Sequence, residues 1–171
     1  MVYFRTEGLT KMLEAFGDIW ELADEGCDAL VITTNGYVKK SDGLAVMGRG
    51  IANQAAKRFP KLPAELGWCL RQYGNHCFVF SGHSPHYDIV TFPVKPTFGP
   101  KGEPGWMVKA ELPLIAQSAK ELVGIAKRYD WIDILVPRPG CGYGMLHWGN
   151  VKPVLSRILD DRFTAITYGS T

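Results

Sequence analysis

The sequence predicts an α/β layered domain built on a mostly parallel sheet, and three observations predict it. Short apolar, β-branched runs alternate with helix-length segments through most of the chain. Two glycine-rich segments each stand at a junction between a strand-like run and a helix-like one. The length, 171 residues, suits one domain that buries about two-thirds of its unfolded surface without disulfide or metal staples. Residues 1–171 are therefore read as a single domain.

Each element follows in order. Residues 9–16 have helix-like composition, and no first strand is placed there. Residues 28–34, DALVITT, are apolar and β-branched, as a buried strand requires. Residues 50–59 have helical composition and stop at Pro60. Residues 62–73 form a second helix, weakened by Gly67 and ended by Gly74. Residues 76–80 and 87–92 read as two strands joined by the turn at 81–85. Residues 93–105, PVKPTFGPKGEPG, hold four prolines and three glycines. Most of this stretch is excluded from helix and central strand, so it reads as a long functional loop. Residues 108–129 are the longest helical stretch, with Leu112, Ile115, Ala119, Leu122 and Ile125 on one face. Pro113 marks either its first turn or a false start. A strand at 132–136, a helix from 147 or 149 to 159 with Pro153 early in it, and a last strand at 163–168 complete the chain.

Composition narrows the function classes. Hydrophobic residues make up 46% and charged residues 21%, which excludes a disordered chain. No apolar run reaches the roughly 18 residues of a membrane span. The opening MVYFRTEG lacks the basic-then-apolar pattern of a secretory signal. Net charge is +2, from 19 basic and 17 acidic residues. That balance excludes a protein that coats nucleic acid, and leaves open contact with a nucleic-acid end or a single modified base. Cys27, Cys69, Cys77 and Cys141 form no C-x-x-C pair. They read as reduced thiols of a cytoplasmic protein, with no zinc site.

The two glycine-rich segments carry the chemistry. Val46-Met47-Gly48-Arg49-Gly50-Ile51-Ala52 stands just before a helix. Gly48 and Gly50 let the backbone approach a ligand, and the helix start presents free N–H groups, which together suit an anion. The alternative is a plain glycine turn. Asn53 at the third glycine position excludes the dinucleotide fingerprint, and no Gly-Lys-Ser/Thr follows for a P-loop. Pro137-Arg138-Pro139-Gly140-Cys141-Gly142-Tyr143-Gly144 follows a strand directly and precedes a helix. Its alternating glycines suit a loop wrapped around phosphates, and a diphosphate fits between the two segments. Asn35, just past a strand end, offers an amide for a sugar hydroxyl; its composition alone favours a turn cap.

Taken together, the order of motifs resembles a macrodomain, the ADP-ribose-binding module, over residues 16–168. Gly17-Asp18-Ile19 followed by Asp28-Ala29-Leu30-Val31 is similar to the opening of that family. Met47-Gly48-Arg49-Gly50-Ile51-Ala52, and Pro139-Gly140-Cys141-Gly142 followed by Leu146 and Trp148, resemble the two phosphate loops of one branch. That branch holds the terminal ADP-ribose protein glycohydrolase and the DNA ADP-ribosyl glycohydrolase antitoxin. The resemblance implies a three-layer fold with a central mixed, mostly parallel sheet flanked by helices.

It also implies roles. Asp18 would accept from the adenine amino group, with the Ile19 amide nearby and Tyr168 stacked on the ring. Amides from Met47, Gly48, Arg49, Gly50 and Ile51, and from Gly140, Cys141, Gly142, Tyr143 and Gly144, would hold the diphosphate. Asn35 would lie near the distal ribose. Each has a structural alternative, Asp18 as a turn cap and Tyr168 as a core or edge aromatic. Thr91-Phe92-Pro93-Val94-Lys95 resembles the strand-end segment of the DNA-acting enzyme, whose lysine works at the distal ribose. A partly desolvated lysine has a lowered pKa, and its neutral amine can attack the sugar C1″ carbon. Read without the resemblance, Lys95 is an exposed loop lysine.

Two departures matter. The protein-acting enzyme has an Asp where this chain has Gly144, so a carboxylate acid/base is missing there. Asp42 and His147 are the nearest substitutes by sequence position, His147 reading better as a helix N-terminal residue. The antitoxin carries a C-terminal toxin-neutralising region beyond the stretch matched here. The expectation is a monomeric, metal-free and cofactor-free enzyme that hydrolyses ADP-ribose from a DNA base or a protein carboxylate, with Lys95 central. Its partners would be ADP-ribose and ADP-ribosylated DNA or protein, with no membrane. Competing readings are an ADP-ribose reader without turnover, an ADP-ribose 1″-phosphate phosphatase, and a cysteine hydrolase built on Cys141. Residues 96–106 read as a flap over the distal ribose.

Overall fold

A computed structural model describes residues 11–168. Six strands form one sheet: β1 (Leu13–Phe16), β2 (Ala29–Asn35), β3 (Val79–Phe80), β4 (Asp88–Lys95), β5 (Ile134–Pro137) and β6 (Phe163–Thr167). Five helices accompany them: α1 (Ile19–Glu25), α2 (Gly50–Arg58), α3 (Leu62–Tyr73), α4 (Leu112–Arg128) and α5 (Trp148–Ser156). The strand order is β1-β6-β5-β2-β4-β3. All pairings are parallel except that of the short edge strand β3 with β4.

The period-2 pattern of the strands divides the core into two layers. On β2, Ala29 and Val31 face one way and pack with Ile115, Ala119 and Leu122 of α4 and Val151 and Leu155 of α5. Leu30 and Ile32 face the other way and pack with Trp20 of α1, Ala52 and Ala55 of α2, and Leu62, Leu66 and Leu70 of α3. The sheet thus lies between α4–α5 and α1–α3, the three-layer arrangement that the sequence predicts.

Four local expectations change. Residues 13–16 are strand, not helix: β1 adds to the sheet edge with Leu13 opposite Thr164 and Phe16 opposite Thr167. Pairing there outweighs weak local helix propensity; residues 9 and 10 lie outside the described residues. The antiparallel pair is shorter at its β3 arm, which holds only two residues. The helix at 108–129 begins at Leu112, so Pro113 sits in its first turn, where no N–H partner is needed.

The fourth correction places Lys95. The predicted loop at 93–105 starts three residues late, because Pro93, Val94 and Lys95 belong to β4. The Thr91 amide donates toward β3, to the Phe78 carbonyl. By strand alternation Pro93 turns its missing N–H the same way, beyond the end of the two-residue β3. Its carbonyl is satisfied by the buried Ser118 hydroxyl of α4 at 2.6 Å. The register slips where Thr34 pairs with Pro93 and Asn35 with Lys95.

Gly67 has a packing reason to interrupt α3. A Cβ there would lie 2.1 Å from the Gly43 carbonyl oxygen. Its absence lets the hairpin closed by the Val38–Ala45 bridge lie against the helix.

Candidate functional site

From β2 the chain passes through α2 and α3 to β3 and then β4 on one side of the sheet, and from β5 to β6 on the other. Ligands of open α/β sheets bind outside the carboxyl ends of the strands at such a switch point. A cleft of about 720 Å³ opens there. Its floor is built from strand ends: Thr33, Thr34 and Asn35 of β2, Val94 and Lys95 of β4, Pro137 of β5, and Ile166 and Thr167 of β6. Tyr168, 84% exposed, stands at its rim.

The first glycine segment forms one wall, with Gly48, Arg49, Gly50, Ile51 and Ala52 lining the cleft. Arg49 is the N-cap of α2 and supplies no side-chain cap. The first amides of an α-helix have no partner within it, so this helix start faces the cleft with donors available. Gly50 has φ +56°, which favours glycine. Met47 departs from expectation. Its side chain is buried in the α1–α3 core, and it does not line the cleft.

The second segment forms the opposite wall, from Arg138 to Gly144. The Leu146 amide donates to the Gly140 carbonyl, Met145 to Gly142, and Cys141 to Arg138, so the loop folds onto itself. The Gly142, Tyr143 and Gly144 amides make no hydrogen bond to another described residue. Gly144 is sterically required: a Cβ would lie 2.3 Å from the Gly140 carbonyl oxygen. The departure noted at this position is therefore built into the loop, which leaves no volume for an aspartate. Across the mouth, the Arg49 guanidinium stands 5.5 Å from the Tyr143 ring and links the two walls.

Lys95 ends β4 inside the cleft, not on an exposed loop. Its Nζ donates to the Trp106 carbonyl at 3.1 Å. Partial burial lowers its pKa, and the nearby Arg49 charge lowers it further. It forms no ion pair with a described residue. Asn75, just past α3, donates from Nδ2 to the Lys95 carbonyl at 3.0 Å and fixes the strand end. Trp106 closes this end of the cleft from the 3-10 turn Gly105–Met107.

Other candidates fall where their backbone roles put them. Asn35 lines the cleft, but its amide donates to the Val46 carbonyl and its oxygen accepts from the Tyr37 amide, each at 2.9 Å. It acts as the turn cap that its composition favours and ties the first glycine segment to β2. Asp18 is the N-cap of α1, accepting from the Trp20 amide at 2.8 Å. Asp18 and Ile19 follow Gly17, whose amide donates to the Thr167 carbonyl beside Tyr168. They sit next to the rim, outside the lining itself.

Asp42 and His147 do not reach the cleft. Asp42 caps the Leu44 amide, and His147 is the N-cap of α5. The Cys141 thiol lines the cleft, but burial raises its pKa despite the Arg138 charge. No hydrogen bond joins it to a histidine among the described residues; its Sγ donates weakly to the Pro139 carbonyl. A thiolate nucleophile has no support there. Among the described residues no group of three His, Cys, Asp or Glu side chains could hold a metal ion, and no helix is long and apolar enough to cross a membrane.

Sequence reasoning missed Arg138 and Trp106 as individual lining residues. Arg138 sits beside the Trp148 ring at 4.8 Å and near Glu14 of β1. Its signal was present, an arginine directly after a buried strand, but the flanking prolines and glycines drew attention to backbone alone. With it, the described residues that line the cleft include three cations, Arg49, Lys95 and Arg138, and no carboxylate.

No family model and no curated protein sequence matches the chain. Solved structures do. The macrodomain of Mycobacterium tuberculosis DarG superposes with a TM-score of 0.70 at 22% identity, over 95% of this chain and 99% of that one. The macrodomain of Thermus aquaticus DarG gives 0.69 at 22% identity, over 93% and 98%. Thermosipho africanus DarTG in complex with ADP-ribose gives 0.71 at 18% identity, over 92% of this chain and 42% of that one. The chain has the macrodomain fold.

Proposed function

We propose that the cleft binds ADP-ribose and that the chain hydrolyses the bond joining its distal ribose to a target. The observation that carries this reading is the cleft itself. Two amide-bearing walls without side-chain caps face each other across three cations, with no carboxylate among the described lining residues, a surface that suits a diphosphate. The fold likeness to a structure solved with ADP-ribose agrees with it.

The resemblance of the Thr91–Lys95 stretch assigns the chemistry to Lys95. Its depressed pKa enlarges the fraction of free amine. In the proposed reaction the amine attacks C1″, the bond from C1″ to the target breaks, and the target leaves with the proton that the nitrogen loses. Water then adds to C1″, the carbon–lysine bond breaks, and ADP-ribose departs with the amine restored. The target is a DNA base or a protein carboxylate. The loop has no volume for an acid at Gly144, which favours the DNA-type enzyme. Within this reading the protein is a cytoplasmic monomer with reduced thiols.

Lys95→Ala tests it. Hydrolysis of an ADP-ribosylated substrate is lost while ADP-ribose affinity is largely kept. Wild-type protein that binds ADP-ribose but turns over neither modified DNA nor modified protein is a reader instead. Release of inorganic phosphate from ADP-ribose 1″-phosphate identifies the phosphatase.

A further inference from the structure

Lys95 is held twice, once by its backbone and once by its side chain. On the backbone side, residues 75–78 lead into β3 and run back along β4. The Phe78 amide donates to the Thr91 hydroxyl at 3.0 Å, and the Thr91 amide donates to the Phe78 carbonyl at 2.9 Å. Pro93 has no N–H to continue that pairing. At Lys95 the Asn75 side chain takes the place of a backbone donor, its Nδ2 reaching the Lys95 carbonyl at 3.0 Å. The register of β2 against β4 also slips between Thr34 and Asn35, so the ladder is irregular at Lys95 itself. On the side-chain side, Nζ donates to the Trp106 carbonyl at 3.1 Å. The Gly105 amide donates to the Thr97 carbonyl at 2.9 Å, and a Cβ on Gly105 would clash with the Pro96 carbonyl. The turn that carries Trp106 is therefore pressed onto the chain just after Lys95.

The Asn75 amide is fixed by this contact. The opposite orientation would set its oxygen against the Lys95 carbonyl oxygen. As it stands, Oδ1 is buried and accepts no hydrogen bond from a described residue. A buried acceptor without a donor destabilises a fold, so stability alone does not favour an asparagine here. A Cβ on Gly36 would lie 2.7 Å from the Asn75 Cγ, so the amide sits tightly against the chain just past β2. Asn75 is not among the residues that line the cleft.

We propose that Asn75 is a positioning residue for Lys95: it holds the end of β4 so that Nζ stays on the Trp106 carbonyl, aimed into the cleft, and so sets the rate of hydrolysis without touching ADP-ribose. The inference rests on the proposed function. A nucleophile held at both ends meets the sugar carbon in few orientations, which is how positioning raises a rate. Freed from Asn75, the lysine reaches further into water and away from Arg49, and its pKa rises toward the ordinary value. Other titratable groups around this end are Arg138, Cys141 and Tyr143 of the second wall. Glu103 accepts from the Lys101 amide, and His76 pairs with Glu121 of α4.

The test is Asn75→Leu, which keeps the side-chain size, removes the donor and removes the unpartnered oxygen. Its ADP-ribose affinity stays within roughly 2-fold of wild type, which also reports that it folds. The substrate is whichever of ADP-ribosylated DNA and ADP-ribosylated protein the wild type hydrolyses. Single-turnover hydrolysis slows by about 10-fold or more, and the acid limb of the pH–rate profile moves to higher pH.

Hydrolysis at the wild-type rate, or a loss matched by an equal loss of ADP-ribose affinity, overturns the inference. If Asn75→Leu does not fold, Asn75→Ala is read by the same comparison. Wild-type protein that binds ADP-ribose but hydrolyses neither substrate contradicts the proposed function instead. The hold on Lys95 is then read directly, as the pH dependence of Lys95 acylation by acetic anhydride, followed by peptide mass spectrometry. A midpoint that rises in Asn75→Leu upholds it, and an unchanged midpoint overturns it.

Discussion

At Lys95 two placements of one residue carry different chemistry. On an exposed proline-glycine loop its ammonium would be fully hydrated and inert. At the end of β4 it is partly desolvated, lies near the Arg49 charge and has a carbonyl as its one hydrogen-bond partner among the described residues, so its pKa is lowered and a larger fraction is free amine than on an exposed loop. The sign for pH follows. Burial penalises the protonated form, so the folded pKa lies below the unfolded value of 10.5. Between the two, the unfolded chain holds a proton that the folded chain has lost, and stability rises with pH across that window. Hydrolysis, which needs the free amine, also rises with pH and levels off above the folded pKa. A pH–rate profile of wild-type protein checks this, and Lys95→Ala lowers the plateau by about 100-fold or more.

Gly144 gives the second prediction at this scale. Gly144→Asp does not install a general acid, because the Gly140 backbone occupies the space of its Cβ. The loop must shift, at a cost of roughly 1–3 kcal/mol in thermal unfolding, and ADP-ribose binding weakens. Increased hydrolysis by this variant would contradict the steric reading.

Among the elements, legibility in the sequence tracks how local the cause is. The apolar periodicity of α4, the β-branched run of β2 and the glycine junctions are local signals, and each element lies where its signal is. Where the cause is a partner distant in sequence, the reading fails. β1 is strand only because β6 accepts it. Pro93 is strand only because β3 stops short and Ser118 reaches its carbonyl. That second failure mattered most, since it misplaced the element that carries Lys95 even though the residue itself was picked out. Ser118→Ala tests this support. It leaves the Pro93 carbonyl without its buried donor and costs about 1–3 kcal/mol in urea unfolding. A loss near zero would show that the β4 end is held by pairing with β2 alone.

For the molecule as a whole, the site is a property of topology more than of any one motif. Of the five parallel strands, four (β2, β4, β5 and β6) supply their ends to the cleft, and the two glycine walls meet there because β2 and β5 are neighbours. Either glycine segment alone reads as an ordinary turn. Their opposition across three cations appears only in the fold, and that is why Arg138 escaped sequence reasoning while Gly48–Ile51 and Gly140–Gly144 did not. Asp18 tests how far the site extends past this cleft, because it caps α1 beside the rim. Its substitution by alanine removes the cap, at about 1 kcal/mol.

Isothermal titration of the purified protein with ADP-ribose tests the central claim most directly, with Asp18→Ala titrated beside it. The account predicts one site of micromolar affinity, weakened by Asp18→Ala in protein that remains folded. Well-folded wild-type protein that gives no binding heat at several temperatures would contradict it, leaving the macrodomain fold without an ADP-ribose site.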